Sequence, residues 1–343
     1  MNDIFDKRLA RPMLIANQSE PFNSPEYLFE LKFDGIRCLA YIDRKSVDLR
    51  NKRNKELINQ FPELSNIFSN VNGQCILDGE IIVLKNGKPD FYEVQKRTVI
   101  TDFFKIKLLS EKYPATFVVY DLIYLDNDLL IDIPIEERIN KLPRLINENN
   151  RISISKVIEN TGIELFNIVK SKELEGVVAK RKGSKYFFEK RSTDWIKFKY
   201  LVDDDFVLCG YIQKDNNMTS FILGKYDSGN NLKYHGHVTL GASIRTLNQY
   251  NYTIIKHHPF NCDLPQGNDN AVWIEPNLVC IVQYMPSNKE GMRQPVCKGI
   301  REDKEKKSAE NNGSYLVLDN HKIRGFKLLN LSKAFKSSFL FIL

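Results

Sequence analysis

The chain has 343 residues, of which 42% are hydrophobic, so it is long enough for two domains and can bury a substantial core. No run approaches the roughly 18 uninterrupted apolar residues of a membrane-spanning helix, so we expect no membrane association. A formal charge of +7 favours a polyanionic partner, although a charge of this size alone is weak evidence.

Six cysteines are scattered along the chain without a C-x-x-C pair, so a zinc site or a redox pair is not indicated. The N-terminus lacks the apolar core of a secretory signal. We therefore expect reduced thiols and a cytoplasmic protein, associated with the nucleoid if the source is a bacterium.

The first 200 residues alternate between strand and helix patterns. Residues 26–50 predict two strands joined by a turn near Asp43, and residues 56–68 place apolar side chains at helical spacing. Residues 75–84 predict a strand followed by a hairpin-type turn, and the continuous apolar run 115–125 predicts a buried strand. A proline at 134 opens a helix pattern, and residues 174–183 and 194–200 predict two further strands.

The pattern changes after the acidic segment 203–205, where short strands separated by turn signals indicate a compact β-barrel or sandwich. We therefore predict an α+β domain over residues 1–200 and an all-β domain over 201–304. Residues 305–343 predict either a short packed helix or a disordered tail, and the sequence does not distinguish the two.

Charged residues in the predicted strands form five short motifs. Each motif alone is compatible with edge-strand charges or satisfied ion pairs, because charge beside a strand is costly unless it is paired or functional. In chain order the motifs are KFDGIR (32–37), DGE (78–80), YD (120–121), EGVVAK (175–180) and WIKFK (195–199).

The order of these motifs resembles that of the covalent nucleotidyltransferases, which comprise ATP-dependent DNA ligases, RNA ligases and mRNA capping enzymes. The resemblance covers about residues 11–304, and RQPVCKGIREDK (293–304) looks like a sixth motif of DNA ligases. The segment leading into KFDGIR and the phrase CKGIREDK look closest to the ligase modules of bacterial end-joining (ligase D-type) enzymes. The implied fold is an α+β adenylation domain, with antiparallel sheets and flanking helices, followed by an all-β OB-fold.

The resemblance makes Lys32 the residue that attacks the α-phosphate of ATP and carries AMP. Lysine suits this role once its pKa is lowered by desolvation and by neighbouring cations, and we expect Lys197 and Lys199 to lie near it. These two lysines and Mg²⁺, or Mn²⁺ in its place, would neutralise the charge that develops on the phosphates. Glu80 and Glu175 match acidic residues that contact the ribose or help to hold the metal.

The resemblance also implies nucleotide contacts for other residues. Glu30 is expected near the adenine amino group and Tyr120 on the adenine face, while Lys180 is expected near the α-phosphate. Tyr120 as plain core and Arg50 as a surface residue remain open alternatives. The full predicted nucleotide-binding set is Glu30, Leu31, Arg37, Arg50, Glu80, Tyr120, Lys180, Lys197, Lys199, Arg293, Arg301 and Lys304.

Several other polar residues are expected to be structural. Asp34 would order the turn at Gly35, Asp78 would support its strand, and Trp195 would pack rather than stack on a base. His235 and His237 have no third ligand clustered with them in the sequence, so a surface strand is expected there rather than a metal site.

We therefore predict an ATP-dependent DNA ligase that seals 5′-phosphate/3′-hydroxyl breaks in DNA repair or end joining. Its expected partners are nicked or broken double-stranded DNA and a Ku-like end-binding protein, and we expect a monomer. The alternatives are an RNA ligase or capping-type nucleotidyltransferase with the same fold, and a non-catalytic nucleic-acid-binding module.

Overall fold

The computed structural model describes residues 3–214, 218–286 and 291–301. These residues form two compact units, the first ending at Lys199 and the second beginning at Tyr200. No helix in these ranges is long and apolar enough to cross a membrane. The predicted tail, residues 305–343, lies outside the described residues.

The first unit is an α+β domain built on two sheets. Its strands are β1 (Leu14–Gln18), β2 (Tyr27–Lys32), β3 (Ile36–Ile42), β4 (Val47–Asn51), β5 (Cys75–Lys85), β6 (Lys88–Pro89), β7 (Ala115–Leu125), β8 (Asp128–Leu129), β9 (Ile152–Ile154), β10 (Ile158–Glu159), β11 (Gly176–Arg181) and β12 (Arg191–Lys199). Its α-helices are α1 (Asp3–Asp6), α2 (Phe91–Val99), α3 (Phe103–Lys112), α4 (Ile135–Ile139), α5 (Leu142–Leu145) and α6 (Gly162–Ser171).

One sheet has five strands in the order β1-β12-β11-β2-β10. The other has seven strands, following the path β4-β3-β5-β7-β8 with β6 paired to β5 and β9 paired to β7. Most pairs are antiparallel, whereas β1 with β12 and β7 with β9 are parallel. The α+β architecture agrees with the sequence prediction.

Two helical segments differ from their predicted form. Residues 56–68 contain three short 3-10 helices (Ile58–Gln60, Pro62–Leu64 and Ile67–Asn70) rather than one continuous helix. Pro62 begins a new turn because it has no backbone N–H to donate, and the apolar spacing still buries Phe61 and Leu64. The helix pattern after Pro134 likewise divides into α4 and α5, with a proline in the first turn of α5.

Helices α2 and α3 were missed by the sequence patterns. Each begins after an aspartate whose side chain accepts a backbone N–H in the first turn: Asp90 from Glu93 and Asp102 from Lys105. This is the usual N-cap geometry, which satisfies donors that have no partner within the helix. The two aspartates are the sequence signal that identifies these helix starts.

Strand β5 divides its side chains between two different environments. Leu77, Ile81 and Val83 enter the main hydrophobic core, which the short helices and α2 cover. Ile76, on the other face, joins an apolar cluster that also takes in Leu28 of the five-stranded sheet. Asp78 and Glu80 follow Ile76 at alternate positions, so this face of β5 changes from apolar to acidic along its length.

The second unit is an all-β domain with one short helix, α7 (Ile244–Leu247). Its strands are β13 (Val202–Gln213), β14 (Thr219–Tyr226), β15 (Leu232–Val238), β16 (Ile254–Ile255), β17 (Val272–Met285) and β18 (Arg293–Arg301). The sheet order is β15-β14-β13-β17-β16, with β18 also paired to β17. A bridge between Leu240 and Val296 joins the end of β15 to β18 and closes a five-stranded barrel, as expected for an OB-fold.

The structure gives the positions of the cysteines and of two histidines. None of the six cysteines forms a disulfide in the described ranges, and Cys280 and Cys297 place their Sγ atoms 3.2 Å apart within the barrel core. His235 and His237 lie on β15, where the His237 Nε2 atom is 2.9 Å from the Asn268 Oδ1 atom. Across the described residues no group of three or more His, Cys, Asp or Glu side chains is arranged to hold a metal ion.

Candidate active site

Lys32 is the last residue of β2, immediately before the tight turn that leads into β3. Its Nζ atom lies 2.7 Å from Oε1 of Glu175, the residue that precedes β11. A Cβ at Gly35 would overlap the carbonyl oxygen of Ile81, so the turn approaches β5 closely only because position 35 is glycine. The spacing of Lys32 and Gly35 within the turn therefore places the lysine beside the acidic part of β5.

The strands β2, β11 and β12 bring the predicted basic residues onto one face of the five-stranded sheet. Residues paired across neighbouring strands point to the same side, and alternate residues of a strand share that side. Gly176 pairs with both Lys32 and Lys199, while Val178 pairs with both Glu30 and Lys197. The residues that share this face are Glu30, Lys32, Lys180, Trp195, Lys197 and Lys199.

Glu30 and Lys180 form a buried ion pair. The Lys180 Nζ atom is 2.8 Å from Glu30 Oε1, and these side chains are only 2–3% exposed. The ammonium also donates to the carbonyl oxygen of Tyr120 at 2.9 Å and lies 4.7 Å from the centroid of the Tyr120 ring. Lys180 therefore contacts both the backbone and the ring of Tyr120 while it is paired with Glu30.

Arg37 and Asp78 form a two-pronged ion pair between β3 and β5. The Arg37 Nε and Nη2 atoms donate to the two Asp78 carboxylate oxygens at 3.1 and 2.6 Å, and Nη1 donates to the Met13 carbonyl at 2.5 Å. The guanidinium lies 5.7 Å from the Tyr120 ring centroid. Glu80 pairs directly with Arg37 across the two strands, so the two side chains lie on the same face of the seven-stranded sheet.

Arg50, also predicted to bind the nucleotide, has other contacts. It lies on β4, where its guanidinium donates to both Asp48 oxygens at 2.7 and 2.9 Å, and it is 3.7 Å from Glu56. Asp48 in turn accepts a hydrogen bond from Arg8. These contacts hold the Arg50 guanidinium against protein carboxylates, and its contact with the nucleotide stays a prediction.

Four further residues complete the predicted nucleotide-binding set. Leu31 pairs with Val177, so its side chain is directed away from Glu30 and Lys32. Arg293 and Arg301 are the first and last residues of β18 in the second unit. Lys304 lies outside the described residues.

The electrostatics of Lys32 differ from the expectation. Burial lowers the pKa of Lys32, but the carboxylates of Glu175 and Glu80 outweigh burial and raise the pKa above its ordinary value. The neighbouring cations were expected to lower it. Lys197 shows that behaviour instead, because burial and the charge of Lys32 together lower its pKa.

The two candidate metal ligands, Glu80 and Glu175, are carboxyl groups whose pKa values are raised by burial. Burial raises the pKa of Glu80 to about 8, with Lys32 acting in the opposite direction, and burial likewise raises the pKa of Glu175. Both carboxylates interact with the Lys32 charge, so they lie around the same point. Mg²⁺ prefers one or two carboxylates completed by phosphate and water oxygens, and this pair fits that donor set.

Two side chains that support the site, Arg138 and Tyr186, were missed by the sequence patterns, and Asp121 was named only as part of the YD motif. Asp121, next to Tyr120, forms a fully buried bidentate ion pair with Arg138 at 2.8 Å for both contacts. The Tyr186 hydroxyl donates to Asp78 Oδ2 at 2.7 Å. The only sequence signal for Tyr186 is its place between the two strands of the last motifs.

Comparison with known proteins covers both units. Residues 9–199 match the family model for the ATP dependent DNA ligase domain, and residues 214–304 match that for the ATP dependent DNA ligase C terminal region. The chain is 30% identical over 283 residues to the SPbeta prophage-derived DNA ligase-like protein LigB of Bacillus subtilis, covering 82% of this chain and 94% of that protein.

Three further matches concern mycobacterial proteins. The multifunctional non-homologous end joining DNA repair protein LigD of Mycobacterium tuberculosis is 27% identical over 314 residues, which is 88% of this chain and 40% of LigD. The fold is similar to the solved ligase domain of that LigD, with a TM-score of 0.50 and 24% identity over 87% of this chain and 97% of that one. A mycobacterial ligase D structure complexed with ATP and MES gives a TM-score of 0.52, with 23% identity and the same coverage.

Proposed function

The chain belongs to the ATP-dependent DNA ligases, and we propose that Lys32 is the residue that carries AMP in its reaction. The observation that supports this most directly is the position of Lys32, on a sheet face with Lys197 and Lys199 and with its Nζ atom 2.7 Å from Glu175. A nucleophile, a proton acceptor and cations for the phosphates are thereby brought together.

The first step forms a bond between Lys32 Nζ and the α-phosphorus of ATP and breaks the bond from that phosphorus to pyrophosphate. Because the nearby carboxylates raise the pKa of Lys32 and so favour its ammonium form, a proton must leave first, and Glu175 is the base within hydrogen-bond distance. Glu80 and Glu175 would hold Mg²⁺, which supplies positive charge to the phosphates when it is bound.

The second and third steps transfer AMP to DNA and seal it. A 5′-phosphate oxygen attacks the phosphorus of lysyl-AMP and displaces Lys32, and the 3′-hydroxyl then attacks the 5′-phosphorus and releases AMP. Tyr120 offers a ring face for adenine. Lys180 donates to the backbone carbonyl of Tyr120 and pairs with Glu30, so it holds in place both the residue that would stack on adenine and the carboxylate expected near the adenine amino group.

The second unit would contribute phosphate contacts. Arg293 and Arg301 on β18, together with Lys304, would bind the β- and γ-phosphates, and basic side chains of the second unit would then contact the DNA backbone. We propose nicked or broken double-stranded DNA as the substrate of a monomer acting in the cytoplasm or at the nucleoid.

A role in end joining, with recruitment by a Ku-like protein, is supported by the likeness to LigD. The chain spans 94% of the Bacillus relative and 40% of the mycobacterial LigD.

The proposal is tested with ATP labelled at the α-phosphate. Wild type and Lys45→Ala, a change in the exposed turn between β3 and β4, are expected to take up covalent label, whereas Lys32→Ala takes up none. Chasing labelled enzyme with nicked DNA, and separately with nicked RNA, identifies the acceptor. Covalent label that persists on Lys32→Ala would refute the assignment of the nucleophile.

A further inference from the structure

The hydroxyl of Tyr186 joins three groups at the junction of the two sheets. It accepts a hydrogen bond from the Met13 backbone N–H at 3.0 Å and donates to Asp78 Oδ2 at 2.7 Å. The Arg37 Nη2 atom lies 3.4 Å from the same hydroxyl and 2.6 Å from the same Asp78 oxygen. We refer to Met13, Arg37, Asp78 and Tyr186 as the Tyr186 clamp.

The clamp fixes Arg37 from two directions. Asp78 receives the Nε and Nη2 donors, and the Met13 carbonyl receives Nη1, so both sides of the guanidinium are engaged. Tyr186 connects these two acceptors, because its hydroxyl binds the N–H of Met13 and the carboxylate of Asp78 at once. Loss of the hydroxyl would leave a buried carboxylate oxygen and a buried backbone N–H each short of one partner.

Packing alone does not account for this arrangement. The Tyr186 ring packs against Trp195 and Phe188, with ring centroids 6.1 and 5.9 Å apart, and a phenylalanine ring would make the same contacts. The hydroxyl is buried, and it has both a donor and an acceptor in the clamp. Burial and the charge of Asp78 raise the pKa of Tyr186 well above its ordinary value, so the group remains a donor over the working pH range.

We propose that the Tyr186 hydroxyl is a positioning group for ATP binding, acting through Asp78 to hold the Arg37 guanidinium in place. The inference rests on the proposed function and on the predicted contact between Arg37 and the nucleotide. Tyr186 itself touches no substrate. It sets the orientation of Arg37 before ATP arrives, which reduces the ordering that ATP binding must bring about.

The test compares Tyr186→Phe with Tyr41→Phe. Tyr41 is also a buried tyrosine, and its hydroxyl donates to the backbone carbonyl of Ala10 at 3.3 Å. This hydrogen bond involves no residue of the Tyr186 clamp. Single-turnover formation of lysyl-AMP is measured against ATP concentration in both variants and in wild type. Thermal unfolding of all three proteins is followed alongside.

We expect Tyr186→Phe to raise the half-saturating ATP concentration about tenfold, because a hydrogen bond to a charged group is lost. Tyr41→Phe is expected to leave it unchanged, at a similar loss of thermal stability. Equal half-saturating concentrations in the two variants would overturn the proposal, and so would an effect of Tyr186→Phe on the maximal rate alone.

A double substitution tests whether the hydroxyl acts through Asp78. If it does, Tyr186→Phe adds little to the effect of Asp78→Asn, because both changes act on one linked group. Fully additive effects would overturn this route. A wild type that takes no label on Lys32 would instead refute the proposed function, so the two failures are distinguishable.

Discussion

The ammonium of Lys32 and the carboxylate of Glu175 form an ion pair of 2.7 Å between the end of β2 and the start of β11. The ion pair holds the proposed nucleophile in its protonated form, because the nearby carboxylates raise the pKa of Lys32 despite its burial. The same carboxylate is the nearest acceptor for the proton that must leave. Position and charge state are thus set by one contact.

The rate of lysyl-AMP formation is expected to rise with pH, by about tenfold per pH unit below the pKa of Lys32, because only the free amine attacks. Glu175→Gln removes the carboxylate that contributes most to raising the pKa of Lys32. The midpoint of the pH–rate profile should therefore move to lower pH, even though the maximal rate falls. Single-turnover labelling across the pH range measures the midpoint. Glu159→Gln, which loses only an exposed ion pair with Lys182, serves as control, and an unmoved midpoint in Glu175→Gln would contradict the prediction.

Glu80 should make the folded protein less stable as pH rises. Its folded-state pKa of about 8 lies above the ordinary value of 4.5, so the folded state binds more protons between these values. The stability it contributes is fully present below about pH 4.5 and is lost as pH rises through about 8. Glu80→Gln resembles the neutral acid and should flatten this dependence, measured as unfolding temperature against pH without added metal. Parallel curves for wild type and variant would contradict it.

The buried pair of Asp121 and Arg138 should be important for folding. Both side chains are fully buried, and replacing Arg138 with methionine leaves the Asp121 charge without its partner. We expect a loss of about 3–5 kcal/mol in the free energy of unfolding. Lys185→Met removes an exposed pair with Asp132 and should cost about 0–1 kcal/mol. Denaturant unfolding measures the free energy of unfolding of both variants. Equal losses would show that the buried ion pair stabilises the fold no more than the exposed one.

Gly35→Ala is expected to destabilise the first unit by about 1–3 kcal/mol, because the added Cβ would overlap the Ile81 carbonyl oxygen and force the turn away from β5. Gly299→Ala adds a methyl group where no atom lies within 4 Å, so its unfolding temperature should stay near that of wild type. Thermal unfolding compares the two variants. An unchanged unfolding temperature in Gly35→Ala would show that the turn has room for a side chain.

Much of the fold was predictable from local patterns. The strands that carry the five motifs, the change to an all-β domain and the membership of the DNA ligase family all follow from residue order. Helices α2 and α3 were missed because their signal is one capping aspartate each, and the predicted helix over residues 56–68 was wrong because Pro62 interrupts it. The roles of individual site residues remain predictions.

The sequence by itself determined which residues can do the chemistry, because the lysine, carboxylates and aromatic residue occur in a fixed order on predicted strands. Only the tertiary structure decided how these residues interact. The fold brings Glu175 to Lys32, Lys180 to Glu30 and Tyr186 to Asp78, across separations in the chain that no local pattern spans. The pKa of Lys32 depends on those pairings, since burial and nearby charge act through space rather than along the chain.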